Sequence, residues 1–176
     1  MAIRRLRQIK KEIRVIGVAA QCDPMGITVI GVVFRGSLWL DGVLKIYSAG
    51  VDIAEAVSEM IKSSRHYGQI RVILLSRVSL PMEAKISPNN LSVSVKRPVI
   101  FLGGGEEPIY TWRTKGEQVF FSASGLSRWS AESILKASTR EGVTPEALKI
   151  ATMTLSALRN RVDAQGINRT PPGYGL

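Results

Sequence analysis

From Ile13 to Ala20 the chain reads IRVIGVAA, a nearly unbroken run of apolar, mostly β-branched residues. A run of that kind fits a strand buried on both faces. Gln21-Cys22-Asp23-Pro24 then reads as a turn-like break, followed by a second strand over Ile27–Arg35 and a third over Ser37–Tyr47. The short Arg35-Gly36 connection predicts an antiparallel meander. Gly42 interrupts the third strand pattern and predicts a bulge or a close backbone approach. Asp52, with Glu55 three residues later, reads as a helix N-cap and its partner. Ile53, Val57, Met60 and Ile61 recur at helical spacing, which predicts an amphipathic helix from 52 to about 66. Gln69–Ser76 (QIRVILLS) is another buried strand, and the strand–helix–strand order implies α/β architecture.

Residues 77–95 carry two prolines, an Asn pair and alternating Ser and Val, too little apolar period to predict a helix. Arg97–Leu102 reads as a strand and Gly103–Pro108 as a loop. Ile109–Arg113 and Gln118–Phe121 read as a hairpin turned at Lys115-Gly116. A helix is predicted over Arg128–Arg140, stopping at Gly142. A second is predicted to be capped by Thr144, with Pro145 at its first position. Leu148, Ala151, Leu155, Leu158 and Val162 fall on one stripe of that helix. The expected organisation is a basic arm at 1–12, one domain at 13–164 and a flexible tail at 165–176.

Composition narrows the partners. The chain has 176 residues, 45% of them hydrophobic, and 24 Lys and Arg against 14 Asp and Glu, a net charge of +10. That hydrophobic share suffices for a real core. Arg4, Arg5, Arg7, Lys10, Lys11 and Arg14 face only Glu12 in the first fourteen residues, so half the excess lies in that stretch. Such an arm reads as an electrostatic clamp on phosphates, a solvated tail or, being Arg-rich and acid-poor, a short mitochondrial presequence. Single Cys22 and His66 residues exclude a disulfide framework and a Cys/His zinc cage. No apolar run approaches the ~18–20 residues that span a bilayer. A cytoplasmic protein without a membrane partner is expected.

Several chemistries fail on residue type. Gly103–Gly105 lacks the Gly-Lys-Ser/Thr ending of a phosphate-binding loop. Ser124 has no glycine two residues before it, so it is no hydrolase elbow. A Ser/His/Asp triad would need His66, which reads as a surface or capping residue near a helix end. Divalent-metal chemistry needs converging carboxylates. The chain has only Asp23, Asp41, Asp52 and Asp163, and Glu83 is the one acid between Ile61 and Gly105. Asp23, Asp52 and Glu83 are the candidates for such a site, while Glu106 and Glu107 read as a solvated turn. Phe34, Arg35, Trp39, Tyr110, Trp112 and Arg113 place rings and guanidinium groups on or beside predicted strands. Rings of this kind stack on bases while arginine meets phosphate, and equally serve as core or edge residues.

Three blocks carry a family resemblance. Val33-Phe34-Arg35-Gly36 with Leu38-Trp39-Leu40-Asp41-Gly42-Val43-Leu44 is the first. Ser64-Arg65-His66-Tyr67 leading through Gln69–Leu75 is the second, and Pro145–Ala151 is the third. Together they resemble an uncharacterised, mainly archaeal family related to endonuclease V, over about Ile13 to Leu158. The resemblance implies an RNase H-like, endonuclease V-like mixed sheet that opens with an antiparallel meander and is flanked by helices. It also implies acidic residues holding magnesium at the end of the first strand, just before the first helix, and at the end of the fourth strand. In this chain those positions fall at Ala19 and Ala20, at Ala49, and at Ser76 followed by Arg77.

The resulting expectation is a nucleic-acid-binding or accessory protein without catalytic residues, metal or other cofactor. Arg4, Arg5, Arg7, Lys10, Lys11, Arg35, Trp39 and Arg77 would contact DNA or RNA. The alternatives are a magnesium-dependent endonuclease using the displaced acids, and a structural or assembly protein acting as a homo-oligomer or with a protein partner.

Overall fold

The structure, a computed structural model, describes residues 9–50 and 52–166, the last six as backbone only. Strands β1 (Arg14–Asp23), β2 (Gly26–Arg35) and β3 (Trp39–Ser48) form the expected meander. β1 is longer than its apolar run, because Gln21, Cys22 and Asp23 continue the ladder opposite Thr28, Ile27 and Gly26. They were expected to break the strand. Their polarity instead reflects exposure, since this end of the hairpin projects into solvent and only Pro24 and Met25 form the turn.

Helix α1 (Ile53–Ser63) leads into β4 (Val72–Ser76), which lies parallel to β1. A 3-10 turn (Arg77–Ser79) and helix α2 (Pro88–Val95) then lead to β5 (Val99–Leu102), parallel to β4. Hairpin β6 (Ile109–Thr114) and β7 (Glu117–Ser124) joins through an antiparallel β5–β7 pair. Helices α3 (Arg128–Ser138) and α4 (Glu146–Gly166) follow. The sheet is mixed and seven-stranded, ordered β3-β2-β1-β4-β5-β7-β6.

Alternate residues of the central strands feed two cores. Val15, Ala19, Val72, Leu74, Ile100 and Leu102 pack beneath α3 and α4. Ile16, Val18, Ala20, Ile73, Leu75 and Val99 pack beneath α1 and α2. Helices therefore cover both faces, which is why β1 and β4 read as continuous apolar runs. α4 crosses very close to β1. A Cβ at Gly17 would lie 2.4–2.6 Å from backbone atoms of Ala147 and Leu148.

Helix caps set several boundaries. The Asp52 carboxylate accepts from the Glu55 amide at 2.7 Å, as the sequence implies. The stretch 77–95, read as non-helical, contains α2, because Ser87 caps it and Pro88 occupies its first turn. Two buried residues one turn apart, Leu91 and Val95, then suffice to seat so short a helix. α4 begins one residue later than expected, with the Pro145 carbonyl accepting from Leu148 and Lys149. It also continues through Gln165 and Gly166, two residues into the expected tail. The rest of that tail lies outside the described residues. At the other end Ile9 packs on the core, so the fold reaches into the expected arm. No helix among the described residues is long and apolar enough to cross a membrane.

Candidate functional site at the strand ends

Parallel strands place their C-terminal ends at one sheet edge, where α/β folds commonly bind ligands. Here register brings the expected positions together. Gly17 pairs with Leu74, so Ala19 is level with Ser76, and Ser76 pairs with Leu102. All three side chains are buried. Ala20 points to the opposite face, among Ile16, Val18 and Leu75. Ala49 is exposed and follows β3 at the same edge, near the β1–β2 turn. The Ser79 hydroxyl locks the ends of β1 and β4 together, donating to the carbonyls of Val18 at 2.9 Å and Ser76 at 3.0 Å.

A cavity of about 260 Å³ opens at this edge between the 3-10 turn and α4. Among the described residues its polar lining comes from Gln21, Cys22, Ser79, Thr152, Ser156 and Arg159, none of them a carboxylate. A divalent cation of the magnesium type needs several oxygen donors, carboxylates foremost among them. This donor set does not fit one, and the Arg159 guanidinium adds charge of the wrong sign. Among the described residues no three His, Cys, Asp or Glu side chains cluster to hold a metal ion.

The candidate acids do different work. Asp23 accepts from the amides of Met25 at 2.8 Å and Gly26 at 3.0 Å, closing the β1–β2 turn. Asp52 caps α1, and Glu83 is exposed on the loop after Pro81. Arg77 follows Ser76 directly, but its guanidinium turns inward to donate to the carbonyls of Pro81, Met82 and Ala84. It braces the 81–84 loop.

The other candidate contacts lie at the far end of the sheet. Arg14 pairs with Arg35 across β1–β2, and Arg35 with Trp39 across β2–β3. Lys10 and Lys11 are exposed just before β1. Trp39 is half exposed. Arg4, Arg5 and Arg7 lie outside the described residues. The structure thus separates Arg77 from Lys10, Lys11, Arg35 and Trp39 by the length of the central strands.

Asp41, which the sequence reading passed over, organises this far end. The β2–β3 register shifts between Val33, opposite Gly42, and Phe34, opposite Leu40, leaving Asp41 as the bulged residue. Its carboxylate accepts from Arg14 Nε at 2.8 Å and from Arg35 Nε at 2.9 Å. Burial pushes its carboxyl upward, yet the hydrogen bonds and charges of Arg14 and Arg35 outweigh that and hold it below its ordinary value. Arg35 is therefore partly neutralised within the fold. Gly42 adjoins that bulge and is closely approached, since a Cβ there would lie 2.6 Å from His66 Nε2. His66, read as a surface or capping residue, is half-buried after α1, and its amide donates to the Ser64 hydroxyl at 2.9 Å. Trp112 is a core residue.

The comparisons agree with this architecture. Residues 11–109 match the family described as Endonuclease dU. A UPF0215 protein of Methanosarcina acetivorans is 30% identical over 81% of this chain and 89% of its own length. A crystal structure of a protein of unknown function from Archaeoglobus fulgidus superposes with a TM-score of 0.66 at 20% identity. It covers 82% of this chain and 97% of that one. Endonuclease V from Ciona intestinalis, solved in complex with a 23mer DNA containing inosine, superposes with a TM-score of 0.61 at 12% identity. The match covers 85% of this chain and 86% of that one.

Proposed function

The chain belongs to the Endonuclease dU family, and from that premise we propose that it binds nucleic acid through its basic surface without cutting it. One observation carries the reading. Where the ends of β1, β4 and β5 come level, the side chains are Ala19, Ser76 and Leu102, and no described residue lining the adjoining cavity is a carboxylate. Phosphodiester hydrolysis by bound metal needs ions that polarise phosphate and generate hydroxide. Among the described residues neither role has a carboxylate donor at this edge. The displaced-acid alternative would draw on Asp23, Asp52 and Glu83, two of which already serve as backbone caps.

The positive side of the reading is electrostatic. The net charge of +10 favours a polyanion, and Lys10 and Lys11 stand exposed where the basic N-terminal segment joins the fold. The inosine-containing DNA held by the Ciona endonuclease V makes nucleic acid the natural polyanion for this scaffold. Binding of this type is dominated by phosphate contacts and weakens steeply with salt. The Ala19 and Ser76 positions leave the fold intact, because small uncharged side chains at a buried edge avoid the like-charge repulsion of a carboxylate cluster.

The test is a fluorescence-anisotropy titration of the full chain with single- and double-stranded DNA and RNA across a salt series. Parallel incubations use inosine-containing substrates with magnesium or EDTA. The expected result is binding whose log affinity falls linearly with log salt, and no cleavage. Absence of binding even at low salt would overturn the reading. Magnesium-dependent cleavage abolished by Asp23→Asn and Asp52→Asn would replace it with the nuclease alternative.

A further inference from the structure

Two cavities meet along the outer side of α3. One, of about 550 Å³, lies between α3 and β6, where Arg113 and Arg128 line it. The other, of about 460 Å³, continues to the β2–β3 turn, where Lys11 and Leu38 line it. Trp129, Ser133 and Lys136 border both, so the two make one groove. These three residues stand at i, i+4 and i+7 on one side of the helix. From Trp129 to Lys136 the stripe runs about 10 Å at 1.5 Å per residue.

Its chemistry is specific. The Trp129 ring is 65% exposed. Lys11, Arg113, Arg128 and Lys136 line the groove against one acid, Glu132. Arg128 takes that carboxylate at 2.8 Å. Among the described residues Lys11, Arg113 and Lys136 have no ion-pair partner. An exposed indole flanked by unpaired cations combines a stacking platform with phosphate contacts, the two parts of a single-strand binding surface. A duplex keeps its base faces stacked on one another and would engage only the cations.

We propose that the α3 groove binds a single-stranded nucleic-acid segment, stacking a base on Trp129 while Arg113, Lys136 and Lys11 meet its phosphates. A groove of this length takes about three stacked nucleotides at ~3.4 Å each. The inference rests on the nucleic-acid reading above and gives it a strand preference and a place.

The experiment measures anisotropy of labelled oligothymidylate and of a labelled duplex with the full chain and with Trp129→Ala, Trp129→Phe and Lys136→Gln. Trp129→Ala is expected to weaken single-strand binding about 5- to 150-fold, the range for loss of one stacked base, with an unchanged salt slope. Trp129→Phe keeps most of the affinity. Lys136→Gln lowers the salt slope by about 0.7, one single-strand phosphate contact. Duplex binding by Trp129→Ala stays at the wild-type level. Because Trp129 is exposed, each variant should melt as the wild type does, and a loss confined to single strands is not a folding defect. Wild-type single-strand affinity in Trp129→Ala overturns the groove, as does an equal loss for duplex and single strand. So does displacement of the oligonucleotide by poly-glutamate with equal potency from wild type and Trp129→Ala, which marks the groove as a site for acidic chains. If the wild-type chain binds no nucleic acid, the broader reading fails, and the groove proposal fails with it.

Discussion

Replacing Asp41 with Asn tests whether the far end of the sheet is held by charge. The Asp41 side chain is 11% exposed, and the side chains of Arg14 and Arg35 are 31% and 41% exposed. Fully exposed pairs contribute about 0.2–1 kcal/mol, whereas hydrogen bonds to charged groups contribute about 1.5–3 kcal/mol. This pair lies between those limits. Asn keeps the shape and one acceptor, and the two arginines can turn to water, so no buried charge is stranded. A loss of about 1–2 kcal/mol follows, or roughly 2–6 °C in Tm for a chain of this size. The pH dependence has a definite sign. Asp41 titrates lower in the folded chain than in the unfolded one. Its contribution is therefore complete above the unfolded value and disappears as pH falls through the folded value. Thermal melts of wild type and Asp41→Asn should differ by a constant amount from about pH 5 to pH 8 and converge in stronger acid. A difference that is absent at neutral pH, or that widens on acidification, would refute the reasoning. The same variant frees Arg14 and Arg35, so phosphate-dominated affinity at low salt should rise if this end of the sheet faces nucleic acid.

Three further outcomes are expected. Gly17→Ala inserts a methyl group within 2.6 Å of the α4 backbone, and urea unfolding should show a loss of about 1–3 kcal/mol from overpacking. Arg77→Gln should speed amide exchange in the 81–84 loop, whose carbonyls Arg77 holds, and leave the salt slope of nucleic-acid binding unchanged. Magnesium or EDTA should leave Tm unchanged at matched ionic strength, whereas a native-state site filled at 100 times its Kd would add about 2.7 kcal/mol.

Burial on both faces made the centre of the fold legible. Continuous apolar runs marked β1 and β4, and the Asp52–Glu55 spacing placed the start of α1. The resemblance supplied the level of Ala19 with Ser76, which no local pattern contains. What stayed hidden depended on a few residues whose roles are set by distant partners. Gln21–Asp23 are polar because their hairpin end is solvated, and polarity in a strand mimics a break. α2 is two turns long and relies on the Ser87 cap and Pro88, so periodicity had little to register. Asp41 looked like one acid in a strand. Its bulge directs it at arginines 27 positions before and 6 positions before it, a geometry visible only in register. Trp129 did leave a signal, an aromatic beside Arg128 just after the Ser127 cap, but an amphipathic helix absorbs such a pair without remark.

These misses alter how the excess charge is understood. Counting cations treats Arg35, Arg77 and Lys136 alike. Pairing separates them, because Asp41 takes part of the charge of Arg35, loop carbonyls take the donors of Arg77, and Lys136 keeps both charge and donors free among the described residues. Counterion release depends on cations that can reach phosphate. The +10 sum therefore overstates the number of available contacts. On the reading proposed above, small and apolar side chains at the strand ends and open cations elsewhere separate holding a strand from hydrolysing it. That reading is physically self-consistent, because phosphate contacts and metal binding depend on opposite charges at different places on the molecule.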